Sequence, residues 1–127
     1  MPNKIDDFVK NHSNLNEIVN LALNKKALKL NVLDVRGLSS VTDYFVICSG
    51  NSEPQIKAIS DNISKGTIKK PHHIEGYENK NWILLDYFDI IVHIFKTEDR
   101  DYYDLERLWA DAPINKYHNE DSKASIK

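Results

Sequence analysis

Residues 82–95 read WILLDYFDIIVHIF, the most apolar stretch of the chain. It is too short and too interrupted for a membrane span, which needs about 18 apolar residues in a row. It divides naturally instead. Trp82 to Tyr87 and Ile90 to Phe95 each read as a strand, joined tightly near Phe88-Asp89 as a hairpin. A hairpin this apolar belongs inside a sheet that other elements cover.

The flanking sequence supplies those elements. A helix is expected over roughly 14–26, capped by Ser13, with Leu15, Ile18, Val19 and Ala22 on one face and Lys25 and Lys26 at its end. LKLNVLDV (28–35) and DYFVICSG (43–50) read as strands, separated by a turn around Gly37. SEPQ (52–55) has the capping-box pattern, and Ile56, Ile59 and Ile63 give the helix after it an apolar stripe that ends near Gly66. A short strand is expected around His73–Glu75. Thr97 is expected to cap a last helix with Tyr102, Leu105, Leu108 and Trp109 facing inward, stopped by Pro113. The fold class is therefore α/β (α+β), a mixed sheet of about five strands flanked by helices. One domain spans 1–113, and 114–127 reads as a polar, disordered tail.

Charge is distributed unevenly. From Asp86 to Asp111 eight acids face Lys96, Arg100 and Arg107, a local net of −5, whereas residues 1–85 sum to +2. Binding nucleic acid by neutralising its backbone wants a concentrated basic face. Only Lys57, Lys65, Lys69 and Lys70 suggest one, so DNA is not an expected partner and a basic protein is. The alternative is a solvated acidic helix face. The N-terminus carries no apolar signal core, and Cys48 is the only cysteine, so no internal disulfide or cysteine-based zinc site is possible and a cytoplasmic location is expected.

The candidate catalytic groups read as architecture. Two-metal chemistry needs acids converging on one face, and same-face strand residues lie two apart. Asp86 and Asp89 are three apart across a turn; Asp34 and Asp43 sit at strand ends, where turn chemistry accounts for them. His93 shares a strand face with Ile91 and Phe95, the setting of a hydrogen-bonded core residue. His72 and His73 are adjacent and point to opposite faces, and no histidine pair has metal spacing. Cys48 reads as an apolar plug. CSGNS (48–52), between a strand and a helix, has the position of a phosphate cradle but only one glycine. No metal and no cofactor are expected. Trp82, beside the polar loop YENKN, reads equally as a binding anchor or as core; Trp109 reads as core.

LDVRGLSSVTDYFVICSGNS, IEGY…NWILLDYFDIIVHIF and YYDLERLWADAP, in that order, together resemble the ribosomal silencing factor family, RsfS or iojap. The resemblance runs from about residue 14 to Pro113. It implies a nucleotidyltransferase-like topology without the catalytic carboxylates, and no enzymatic activity. It also implies a translation repressor that binds the large ribosomal subunit through ribosomal protein L-fourteen. By occupying that surface it would block joining of the small subunit under nutrient limitation. An assembly role for the large subunit, an active nucleotidyltransferase-like enzyme and a homodimer are the alternatives. The family's docking segment matches Trp82 and the residues after it, which makes Trp82, Leu84 and Asp86 the expected contacts. Glu106 and Asp111 join them on charge alone. The family carries glycine where this chain has Phe88; at positive φ a phenylalanine is strained, and its ring is either a further contact or folded back on the sheet.

Overall fold

The computed structural model describes residues 8–78 and 81–117. Six strands form one mixed sheet in the order β3-β4-β5-β2-β1-β6. They are β1 (Leu28–Asp34), β2 (Tyr44–Gly50), β3 (His73–Glu75), β4 (Trp82–Asp86), β5 (Ile90–Lys96) and β6 (Ile114–Tyr117). β2 and β5 run parallel at the centre, and every other pairing is antiparallel. The expected hairpin is β4–β5, paired Trp82 to Phe95 and Asp86 to Ile91.

Helices α1 (Ser13–Asn24) and α2 (Glu53–Gly66) lie on one face. Their stripes of Leu15, Ile18, Val19 and Ala22, and of Ile56, Ile59 and Ile63, are buried against Val46, Ile83, Leu85, Ile90, Val92 and Ile94. Alternation along β4 and β5 sends Ile83, Leu85, Val92 and Ile94 into this core and turns Trp82, Leu84, Ile91 and His93 to the other side. Helix α2 starts as expected: the Ser52 hydroxyl accepts from the Gln55 N–H. The Gln55 side chain reaches one residue further back than a capping box requires, accepting from the Asn51 N–H at 2.8 Å.

Several expectations need correction. The sheet has six strands, because residues 114–117 of the presumed tail pair with β1 rather than fraying; Tyr117 joins the first core while Ile114 packs on the second face. Residues 118–127 lie outside the described residues. His12, not Ser13, caps α1: its Nδ1 accepts from the Leu15 N–H. Thr97 opens α3 (Thr97–Tyr103) without capping it; its hydroxyl reaches Gly50 O and Asn51 Oδ1. The last helix is not continuous. Asp104 takes a left-handed conformation (φ 47°) and divides α3 from the single turn α4 (Leu105–Leu108). The expected inward stripe breaks with it, leaving Tyr102 81% and Leu108 73% exposed while Leu105 and Trp109 stay half-buried against Leu33, Ile47 and Phe95.

A buried arginine explains the break. Arg100 of α3 donates to the Leu28 carbonyl and the Ser49 hydroxyl, and its other terminal nitrogen pairs with Glu106 of α4. Asn31 of β1 donates to the same Glu106 oxygen at 3.0 Å. Both partners of the pair are reachable only if the chain turns sharply between them, and Asp104 is that turn. Burial pushes the Glu106 carboxyl up, but the hydrogen bond and charge of Arg100, with Asn31, outweigh it and hold it below the ordinary carboxylate range. Arg100→Ala is expected to destabilise the domain by about 3 kcal/mol, because it strands Glu106 and Ser49 without their cation. Urea denaturation at neutral pH measures this, and a loss under about 1 kcal/mol would show the network to be incidental.

Candidate docking face

The sheet face opposite α1 and α2 is only partly covered. α4 and the segment through Ala112 pack over Leu33 and Ile47 on its β1–β2 side, while Tyr103 of α3 rests on Trp82 and Phe95. Toward β4 the face opens, and Trp82, Leu84, Asp86, Ile91 and Phe45 are all half-exposed. Their adjacency follows from register: Leu84 opposes His93, Asp86 opposes Ile91, and Ile91 lies beside Phe45 in the parallel pair. Three residues expected from sequence, Trp82, Leu84 and Asp86, are therefore brought together. Phe45 and Ile91 join them; the alternation of β2 and β5 already carried that signal.

Trp82 is the centre of an aromatic cluster. Its ring stacks on Phe95 (5.1 Å between centroids, 17° apart) and lies against His93 and Tyr103. Its indole N–H donates to His93 Nδ1 at 3.1 Å. An accepting Nδ1 places the imidazole proton on Nε2. That Nε2 is buried and has no hydrogen-bond partner among the described residues. Burial pulls the His93 pKa down to about 4, against the opposing charge of Glu106. The histidine is thus neutral at physiological pH and orients an indole.

The hairpin tip resolves the question posed by Phe88. Asp86 Oδ1 accepts the Phe88 N–H at 2.8 Å, and the Asp89 N–H donates to the Tyr87 carbonyl across Phe88. The result is a three-residue turn with Phe88 at φ 74°, a conformation phenylalanine rarely adopts. The ring folds back far enough to contact His72, centroids 4.2 Å apart, yet remains 65% exposed. Asp86 is therefore both half-exposed and a turn-former. Of the two outlying candidates, Glu106 points inward to Arg100 and Asn31. Asp111 is exposed, near the β1–β6 side of the face where the Pro113 carbonyl accepts from the Asp34 N–H, and it is not gathered with the β4 residues.

The chemical alternatives have less to stand on. Among the described residues no group of three or more His, Cys, Asp or Glu side chains could hold a metal. Burial pushes the Cys48 thiol up to about 12, which makes it a poor nucleophile. In the CSGNS loop the Asn51 N–H and the Ser49 hydroxyl, which a phosphate would need, are taken by Gln55 and by the Leu28 carbonyl. Among the described residues no helix is long and apolar enough to cross a membrane.

A family model described as ribosomal silencing factor during starvation, RsfS, matches residues 9–127. The chain belongs to this family. A ribosomal silencing factor of Halalkalibacterium halodurans is 42% identical over 104 residues, covering 76% of this chain and 89% of that one. A crystal structure of a protein from Bacillus halodurans superposes with a TM-score of 0.69 at 38% identity, covering 80% of this chain and 94% of that one. A more distant relative from mouse, 28% identical over 81% of this chain and 48% of its own length, is named for mitochondrial assembly of the ribosomal large subunit.

The buried imidazole carries a pH dependence. His93 titrates near 6.5 when unfolded and near 4 when folded, so below 6.5 the unfolded chain binds a proton that the folded chain refuses. Its contribution to stability is complete above about pH 6.5 and declines as pH falls toward 4, by on the order of 3 kcal/mol in all. Between pH 7 and pH 5 the wild type is expected to lose more stability than His93→Phe. Equal slopes in urea titrations of the two proteins would contradict the neutral, buried imidazole.

Proposed function

We propose that this protein is a translation repressor without enzymatic activity that docks on the large ribosomal subunit through the open β4–β5 face. Trp82, Leu84 and Asp86 form the centre of the contact, Phe88 a further contact at the hairpin tip, and Asp111 an outlying acid. We assign Glu106 to the scaffold. One observation carries the reading: an aromatic and aliphatic surface is left half-exposed, rimmed by acids, by a fold whose helices bury the other face of its central strands. Buried aromatics at the centre of a patch with charges around it are the usual anatomy of a docking site.

Membership of the silencing-factor family supports the large subunit as partner. The partner protein is ribosomal protein L-fourteen, an assignment that rests on the motif resemblance of residues 82–86. Ribosomal proteins are basic, so the negative net charge of residues 86–111 complements them, speeding encounter and fixing orientation. Silencing is steric, the bound factor occupying the surface on which the small subunit must land, and it takes place in the cytoplasm. The large-subunit assembly named for the mouse relative favours a second reading, in which the same docking serves maturation of the subunit.

Co-sedimentation with purified large subunits tests the docking, and adding small subunits tests the block. The factor is expected in the large-subunit fraction and is expected to lower the yield of joined particles. Joining that proceeds unhindered with the factor bound would favour assembly instead. Leu84→Ala leaves the indole stack in place and is expected to weaken binding about tenfold, the loss of roughly one well-packed anchor. Phe88→Gly separates fold from contact: relief of the positive φ is expected to stabilise the domain by about 1 kcal/mol while binding weakens. Unchanged affinity in both variants would remove the β4–β5 face from the reading.

A further inference from the structure

A cavity of about 340 Å³ opens beside the docking face, between α3 and the β3–β4 edge of the sheet. Its walls combine two chemistries. Trp82 and Tyr103 supply rings, tilted by 40° with centroids 5.1 Å apart. Glu75 from β3 and Asp99 from α3 supply carboxylates. Asp99 and Tyr103 lie four apart in α3, so one helix face presents an acid and a ring together. Glu75 shares its Oε2 with His73 at 3.0 Å, whereas Asp99 has no hydrogen-bond or ion-pair partner among the described residues. Gly76 makes the approach possible: it sits at φ 79°, and a Cβ there would lie 2.1 Å from the Trp82 carbonyl oxygen.

The size suits one long side chain and sits at the low end for any cofactor. The walls suit a cation that is also flat. A guanidinium stacks on aromatic faces, gives up its hydration more readily than an ammonium, and meets a carboxylate with two parallel hydrogen bonds. A metal ion is a poorer fit, since the groove offers two carboxylates and no third acid or imidazole.

We infer that this groove is a receptor for an arginine side chain presented by the protein partner. The inference rests on the docking reading above and names the residue type that the edge of that site selects. Asp99 meets the guanidinium, the Tyr103 and Trp82 rings, packed on each other, form one aromatic wall for it to lie against, and Glu75 adds a second negative charge at the mouth. Arginine insertion beside Trp82 would fix the register in which the partner lies along β4.

Two measurements test it separately. The first needs no ribosome. The tripeptide amide acetyl-Gly-Arg-Gly is titrated into the full chain while the Trp82 indole N–H resonance is followed. A saturable shift in the millimolar range is expected, at least fivefold weaker for the lysine counterpart and lost in Asp99→Asn. No saturable shift, or equal affinity for lysine, would overturn the groove whatever the ribosome does. The second measures affinity for large subunits. Asp99→Asn is expected to weaken it about tenfold and Asp99→Arg further, the scale of one charge-assisted contact, while Asp101→Asn, exposed on the same helix, stays within twofold. Wild-type binding with no loss in Asp99→Asn and Glu75→Gln would sink the groove and spare the docking face. Peptide binding without any subunit binding would sink the docking reading instead.

Discussion

The buried guanidinium of Arg100 organises the half of the molecule that the helical core does not. It joins the start of β1, the end of β2 and the two last helical turns at one point. A charge this deep is tolerated only when its donors are matched, and the matching dictates geometry. Lys29 adopts φ 46° where the β1–β2 register shifts, next to the Leu28 carbonyl that Arg100 holds. Asp104 adopts φ 47° so that Glu106 can return to the same cation. The turn at Asp104 is thus explained by the ion pair, and the bulge at Lys29 lies beside its anchor on Leu28. With α4 tied down over β1 and β2 and Tyr103 of α3 resting on Trp82 and Phe95, the described residues leave Leu84 of β4 and Ile91 of β5 only partly covered.

That incomplete cover leaves the surface proposed for docking, and the cluster around His93 gives it rigidity. An exposed tryptophan usually retains rotamer freedom that must be lost on binding. Here the indole is fixed before any partner arrives, by Phe95 and Tyr103 against its ring and by His93 at its N–H. The histidine accepts that bond as a neutral imidazole, and its burial extends the neutral form to lower pH. Core and surface chemistry are therefore continuous: a buried acceptor inside sets an orientation outside.

Much of this was legible in the sequence, and the failures share a cause. The helix stripes are local patterns, and they placed Leu15, Ile18, Val19 and Ala22, and Ile56, Ile59 and Ile63, on the buried sides where they lie. Trp82, Leu84 and Asp86 were named from the family resemblance, and the register of β4 puts them on one face of the sheet. Strand β6 escaped because INKY has little apolar content and gains its order from the edge of β1, a partner more than eighty residues away. The break at Asp104 escaped because neither glycine nor proline marks it; a tertiary ion pair overrides a continuous helical pattern. The pairing of Glu106 escaped for the same reason, since charge counting cannot show that Arg100 turns it inward. The groove joins residues of three separate elements, and only their packing reveals it.

The outermost strands, β3 and β6, have three and four residues, and β3 carries His73 and Glu75 on the docking side of the sheet. Among the described residues their unpaired margins are brief, and such brevity is a common safeguard against fibril-like growth. The consequence concerns the manner of association. On the proposed function, a partner would lay side chains across the flat of the sheet and would not extend its backbone ladder. Such contacts release without unzipping main-chain bonds.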